Sequence, residues 1–289
     1  MSGPVFEGAV VGKRIVLLAV AAVATTMSLS SCVRLVQDSS SNDYTVNDRI
    51  TSVQVDTDGG DVKIRSVDGA TATTVKRVLR YNPAAKKPDG PTHQVNGGAL
   101  VLNGCGSGCE VSYEVAVPSK ETTVKGEVGS GDLDVQDLAS VEVTLGSGNA
   151  TLHAIAGAVR IESGSGDITG SDITGNVIGK AHSGNLTLSG VTGSVTAASS
   201  SGNIRAEKID GDVSAEASSG NVVVELAKPH NVKANASSGD VTVTVPNAGY
   251  RVVVDSNSGD QKVDVPNDPS GQFELALSAS SGDLVLKAA

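Results

Sequence analysis

The tripeptide Ser-Gly-Asp or Ser-Gly-Asn occurs nine times between residue 130 and the C-terminus. Its serines are Ser130, Ser147, Ser165, Ser183, Ser201, Ser219, Ser238, Ser258 and Ser281, at intervals of 17, 18, 18, 18, 18, 19, 20 and 23 residues. So constant a period belongs to a chain stacked coil upon coil, each unit burying its apolar face against its neighbours. Whatever one unit does, the next must do about one strand spacing away.

Three clean units begin at Asp167, Asn185 and Asn203. After the motif, apolar residues take the first, usually the third, the sixth, the tenth and usually the twelfth places. In the middle unit these are Leu186, Leu188, Val191, Val195 and Ala197. Alternation within each half is period two, so each half reads as a strand with one face inward. Gly157, Gly175, Gly193 and Gly211 stand eight residues after the Asp or Asn. They mark a second corner, where freedom at positive φ is the expected reason for glycine. Parallel stacking then makes one internal ladder of Ile155, Ile173, Val191 and Ile209. Val159, Val177, Val195, Val213 and Val232 form another. A left-handed hexapeptide helix needs an apolar residue every six positions, whereas Ile168, Ile173 and Val177 are spaced five and four.

The expected fold is all-β: a parallel β-solenoid over residues 119–289, its handedness left open, behind an N-terminal β-rich cap over 49–118. Nine coils would extend roughly 40 Å. Composition agrees. Aromatics are 2% of the chain and Trp is absent, which suits a thin core of Val, Ile, Leu and Ala rather than a globular interior filled with rings. In the capping section Gly60-Asp61-Val62 is a degenerate copy of the motif. Thr73 to Tyr81 is a strand carrying Lys76, Arg77 and Arg80, and residues 82–91 hold three prolines, which bars them from a central strand. Ala99 to Leu102 and Val111 to Val117 flank a cysteine turn and read as a hairpin stapled at its tip.

The N-terminus reads as a targeting segment. Lys13 and Arg14 precede an apolar run from Ile15 to Ala24, too short for a comfortable membrane span. Leu29-Ser30-Ser31-Cys32 resembles the lipobox of bacterial lipoproteins. That resemblance implies cleavage after residue 31, lipid on Cys32 and a place on the extracytoplasmic face of the cell membrane. A plain secretory signal and an uncleaved anchor are the alternatives. Residues 32–48 read as a flexible tether, because the stretch from Asp38 to Asp43 is polar and aperiodic. Export puts the remaining Cys105 and Cys109 in an oxidising compartment, where a structural disulfide is the default. Free thiols or redox chemistry are the alternatives, and two cysteines alone complete no zinc site.

The repeated Asp or Asn invites a calcium reading, since facing turn carboxylates build oxygen cages in shorter repeats. One such residue per coil, four of the nine being Asn, favours the structural alternative of local backbone hydrogen bonds at a turn. No metal or cofactor is expected. The four histidines, His93, His153, His182 and His230, sit in unrelated contexts, and no nucleophile elbow or phosphate loop occurs. No catalytic residues are assigned, and a polysaccharide-active β-helix would need sugar platforms that two Phe and four Tyr hardly furnish. A net charge of -10 argues against nucleic acid.

The run of Ser-Gly-Asp/Asn-apolar units, preceded by the cysteine turn and Glu110-Val111-Ser112-Tyr113-Glu114-Val115-Ala116-Val117-Pro118, resembles the DUF4097 family of β-strand-repeat proteins. The resemblance spans about residues 45–289. Together with the lipobox it points to actinobacterial lipoprotein members. It implies a surface-exposed β-solenoid with an adhesin-like label and no catalytic residues to transfer. The expected function is a lipid-anchored, non-catalytic binding or scaffold module whose partner is an envelope protein or glycan. Self-association through the last coil, Leu284-Val285-Leu286, is the alternative.

Overall fold

Inward alternation in both halves of every unit produces two sheets facing each other across one apolar core. A computed structural model describes residues 37–83 and 88–289. The signal segment 1–31 and Cys32 lie outside the described residues. The first sheet has thirteen strands and the second twelve. Each repeat gives one strand to each sheet, as Leu186–Val191 does to the first and Val195–Ser201 to the second. Neighbouring repeats pair in parallel one coil apart, Leu186 beside Ile204 and Val195 beside Val213. The expected solenoid is therefore the observed fold.

Both ladders are buried. Ile155, Ile173, Val191 and Ile209 are at most 1% exposed, and Val159 through Val232 at most 3%. Each buried Val or Ile contributes about 1.5–3 kcal/mol relative to an exposed one, and the contribution recurs at every coil. The five-residue interval has a local cause. Asp137, Ala154, Asp172 and Lys208 adopt φ of 54 to 55°, and Gly190 has 68° at the same place. This single left-handed residue breaks the alternation and turns the next side chain, such as Ile173 or Ile209, into the core.

The two corners use glycine differently. At the Ser-Gly corner Gly148 has φ +123, and a Cβ there would lie 2.0 Å from Gly131 O. At the second corner Gly175 and its equivalents are not in the left-handed region. They are required because a Cβ on Gly175 would meet the backbone of Gly157 at 2.3 Å. Close stacking, not positive φ, fixes glycine there.

Both ends depart from sequence order. Ser52–Thr57 and Val62–Ser66 lie between the coil of residues 99–117 and that of residues 123–136. At the other end Phe273–Ser281 and Leu284–Ala288 insert between the coil of 232–245 and that of 250–263. The edge is therefore formed by Tyr250–Ser256 and Gln261–Val263. Leu284–Ala288 has a partner on each side and is no edge. The first coil of the 49–118 section is wedged into the solenoid, and the described residues form one compact unit.

Two further expectations are corrected. Residues 32–48 include the strand Asp38–Val46, antiparallel to Thr73–Tyr81. Backbone pairing on one side suffices for an edge strand, so its polar sequence gave no alternation to read. Ala99–Asn103 and Cys109–Val117 belong to different sheets. They form a coil corner rather than a hairpin. Asp38–Val46, Thr73–Tyr81 and His93–Asn96 run antiparallel to their neighbours and close this end. Polar and charged side chains on an edge, and an edge strand as short as His93–Asn96, discourage further strand addition.

Val191 is 0% exposed within a continuous ladder, so Val191→Asp buries a carboxylate without a partner and should cost about 4 kcal/mol or more. Thermal or urea unfolding checks this, and an unchanged midpoint would mean the inward face is misassigned.

Candidate binding surface

The Ser-Gly-Asp/Asn corner forms a ridge along the solenoid. Its Asp and Asn residues follow the spatial order Asp61, Asp132, Asn149, Asp167, Asn185, Asn203, Asn221, Asp240, Asp283, Asp260. Each donates its backbone N–H to the side-chain Oδ1 of the one before, at 2.7 to 3.1 Å. Asp and Asn interchange because the bond needs only Oδ1, which both carry. Asn149, Asn185 and Asn203 also donate Nδ2 to the preceding Oδ1 at 3.2 to 3.3 Å. From Asp132 to Asp240 no two carboxylates are neighbours. At a spacing of about 4.8 Å two carboxylates repel by roughly 1 kcal/mol in water, and intervening amides remove that cost. Every Oδ1 but the last already faces a backbone donor, a poor setting for a cation. Among the described residues no cluster of three or more His, Cys, Asp or Glu side chains could hold a metal.

Cys105 and Cys109 are disulfide-bonded with Cα atoms 5.6 Å apart. They staple the corner beside Asp58 and Gly59, which with Glu110 and Ser130 line a shallow concavity of about 590 Å³.

A buried polar cluster in the cap went unread in the sequence. Arg77 is 2% exposed. It donates to Gly90 O and Asn42 Oδ1, both at 2.7 Å, and its guanidinium lies 5.5 Å from the Tyr44 ring centre. Among the described residues no carboxylate reaches it. The ring of His93 packs edge-on against Tyr44 at 4.7 Å. Tyr113 donates to Asn103 O at 2.7 Å and contacts Thr92 Oγ1 at 2.5 Å. These bonds tie Asp38–Val46 and the proline-rich loop to the body. Burial, reinforced by Arg77, pushes His93 below its ordinary 6.5. Burial likewise pushes Tyr113 up to about 12. Counting by twos from Val75 to Leu79 places Arg77 inward, so the signal was present in the strand alternation.

The histidines do not converge. His153 Nδ1 lies 2.9 Å from Ser171 Oγ and 3.3 Å from Asp172 Oδ2. A catalytic triad needs Ser and Asp on opposite ring nitrogens; here both approach one nitrogen on an open face. His230 Nε2 meets Asp210 Oδ1 at 3.0 Å, and Lys228 Nζ meets the other oxygen at 2.5 Å. Lys228 first and His230 second hold Asp210 below the usual carboxylate range. This cluster pins the second corner, where the coil lengthens to 19 residues. His182 is exposed on the ridge side.

The outer faces carry the remaining chemistry. On the second sheet, register aligns Thr196, Ser214, Lys233 and Ala276 side by side. They floor a trough of about 410 Å³, bounded by Asp212 and by Arg251, which pairs with Glu274 at 3.0 Å. Lys233 has no ion-pair partner among the described residues. Small hydroxyl side chains beside a cation leave room for an extended polar ligand.

A family model described as Toastrack DUF4097 matches residues 92–287. No curated protein matches the chain in sequence. Among solved structures, a candidate adhesin from Bacteroides fragilis NCTC 9343 is similar at TM-score 0.43 and 14% identity, over 87% of this chain and 97% of that one. A candidate adhesin from Parabacteroides merdae ATCC 43184 is similar at 0.28 and 12%, over 87% and 96%. A candidate cell adhesion protein from Clostridium sporogenes ATCC 15579 is similar at 0.26 and 10%, over 87% and 100%.

Asn185→Ala removes the acceptor of Asn203 N–H and should cost about 1–2 kcal/mol. Asn185→Asp keeps the acceptor but sets a carboxylate beside Asp167, so its cost should be smaller and should shrink with added salt. Denaturant titration at two ionic strengths separates the cases. If Ala and Asp cost the same, the ladder is not what stabilises the corner.

The cap also predicts a pH profile. Below about 6.5 the unfolded chain gains a proton that folded His93 resists, so stability falls with pH. Between 10.0 and about 12 the unfolded chain loses a proton that folded Tyr113 keeps, so stability falls as pH rises. The alkaline loss should reach roughly 2–3 kcal/mol. Unfolding of Tyr113→Phe and His93→Gln across pH should flatten the respective arms.

Proposed function

Since this chain belongs to the Toastrack DUF4097 family, we propose that it is a non-catalytic, adhesin-like binding or scaffold module held at the extracytoplasmic face of the cell membrane by lipid on Cys32. The observation that carries the binding reading is the consumption of the repeated motif. Its Oδ1 atoms are bonded between coils, so recognition falls to the flat outer faces. Those faces present ordered rows of Thr, Ser and Lys at strand spacing and gather no acid–base pair around a cleft. A repetitive row suits an extended repetitive partner, such as an envelope glycan or a peptide strand. The second-sheet trough beside Lys233, of about 410 Å³, is the part of that surface we assign to the partner. Anchoring through Cys32 rests on Leu29-Ser30-Ser31-Cys32 and on the charged and apolar stretch before it.

Cross-linking on intact cells followed by capture tests the binding reading. Lys233→Glu with Ser214→Arg should abolish recovery of the partner while leaving the melting temperature unchanged; undiminished recovery would remove the trough from consideration. Cys32→Ala should move the protein from the membrane fraction to the medium, and continued membrane retention would refute lipid anchoring.

A further inference from the structure

The outermost coil is covered over only half its length. Asp268 donates its N–H to Tyr250 O at 2.8 Å, and Val252 donates its N–H to Asn267 Oδ1 at 2.9 Å. Residues 267–268 thus close the edge at the start of Tyr250–Ser256. Toward the Ser258-Gly259-Asp260 corner, no strand among the described residues pairs with the outer side of Val254–Ser256 or of Gln261–Val263. Two of the three exposed large hydrophobic residues among the described ones are on this coil, Val253 at 57% and Val263 at 42%.

Backbone parity can be read from the bonds already made. The outward bonds of Tyr250 and Val252 show that the backbone groups of Val254 and Ser256 also point out of the sheet edge. In the other sheet, Leu284 N–H to Asp260 O and Asp264 N–H to Leu286 O point inward, which leaves Gln261 and Val263 pointing out. Side chains follow as clearly. Val254 continues the inward row of Ala234 and Leu277, and Val263 that of Val243 and Leu286. Leu277 and Leu286 are at most 2% exposed, whereas no further coil covers Val254 or Val263. Asp255 and Lys262 sit on the outer faces.

We propose that two copies of this chain join end to end about a two-fold axis parallel to these strands. Residues 254–256 of one copy pair antiparallel with residues 261–263 of the other, and the reciprocal pairing forms at the same time. Val254 then meets Val263, Asp255 meets Lys262, and Ser256 meets Gln261. Val254–Val263 and Ser256–Gln261 both have their backbone groups turned toward each other, the arrangement of a hydrogen-bonded antiparallel pair. The apolar pair falls on the core side, and the opposite charges fall together on the outside. A shift by one residue breaks both matches. The interface is isologous and uses up the same outermost coil of both copies, so this pairing stops at a closed dimer rather than a filament. Nothing in this pairing depends on Cys32 or on the trough.

Sedimentation of the full-length protein over a concentration series tests it. A dimer is expected, weakened roughly tenfold or more by Asp255→Lys or by Lys262→Asp, because each reversal sets like charges opposite each other at two symmetric places. The double reversal, Asp255→Lys with Lys262→Asp, should restore association. Asp255→Cys with Lys262→Cys should form a disulfide only between copies, because the two positions lie on opposite outer faces of one molecule. Monomers at every concentration, or a dimer indifferent to both single reversals and to cysteine trapping, would overturn the proposal.

Discussion

The bond from each Asp or Asn backbone N–H to the Oδ1 of its predecessor is the constraint on which the stack depends. It forms only if successive corners superpose closely enough to hold N and Oδ1 at 2.7 to 3.1 Å. That superposition needs the glycine before it, since a Cβ at Gly148, Gly166 or Gly202 would lie 2.0 Å from the neighbouring glycine's carbonyl oxygen. Glycine permits the approach and the Asx side chain exploits it. With one corner fixed, strands leaving it on both sides are held at sheet spacing and their inward residues meet their own counterparts one coil away. Hydrophobic burial supplies most of the free energy. The corner supplies register, which apolar ladders of similar Val and Ile cannot specify alone.

A stack with uniform register raises the problem of how to end. Each end here takes one coil out of sequence order: the C-terminal end overshoots by one coil and returns to fill the gap, and at the N-terminal end the inner coil precedes the outer one in the chain. At the C-terminal end, Asp240 bonds forward to Asp283, 43 residues later, and Asp260 then bonds to Asp283 from the outer side. The coil of 250–263 therefore docks on residues that come after it in the chain. The longer loop closure is the one between the coils of 232–245 and 273–288, whose partners are 43 residues apart, against 23 between the coils of 250–263 and 273–288. The same device wedges the coil of 52–66 beneath that of 99–117, which locks cap and solenoid into one cooperative body.

How much of this was legible depended on whether a feature repeated. The period, the two inward ladders and the corner role of Asp or Asn all recur, so local deviations averaged out. Drift in the last two intervals, 20 and 23, was the trace of reordered coils, but spacing alone does not say which coil lies on which. Asp38–Val46 carried no alternation, because it is held at one edge by backbone bonds. Arg77 was legible by alternation from Val75 yet contrary to composition, as an inward arginine is costly unless its donors are met. The left-handed residue at Ala154, Asp172 or Lys208 left only an interval of five as its sign.

The proposed function rests on what this architecture leaves unused. A motif spent on internal bonds offers little to a ligand, and the core between the sheets is filled by its ladders of Val, Ile, Leu and Ala. Outer faces behave differently. Their side chains are free to vary while the backbone beneath repeats, so the rows Thr196–Ser214–Lys233 and Thr151–Thr169–Thr187 are fixed in spacing but open in chemistry. In the binding role we propose, rows of this kind would recognise by repetition: each contact is weak, and several made in register along one ligand add with little further loss of entropy. The same rigidity puts the open edge of 254–263 at a defined distance and angle from those rows. Joining two copies there would present two sets of rows with one fixed orientation, and multivalent binding gains most from that geometry.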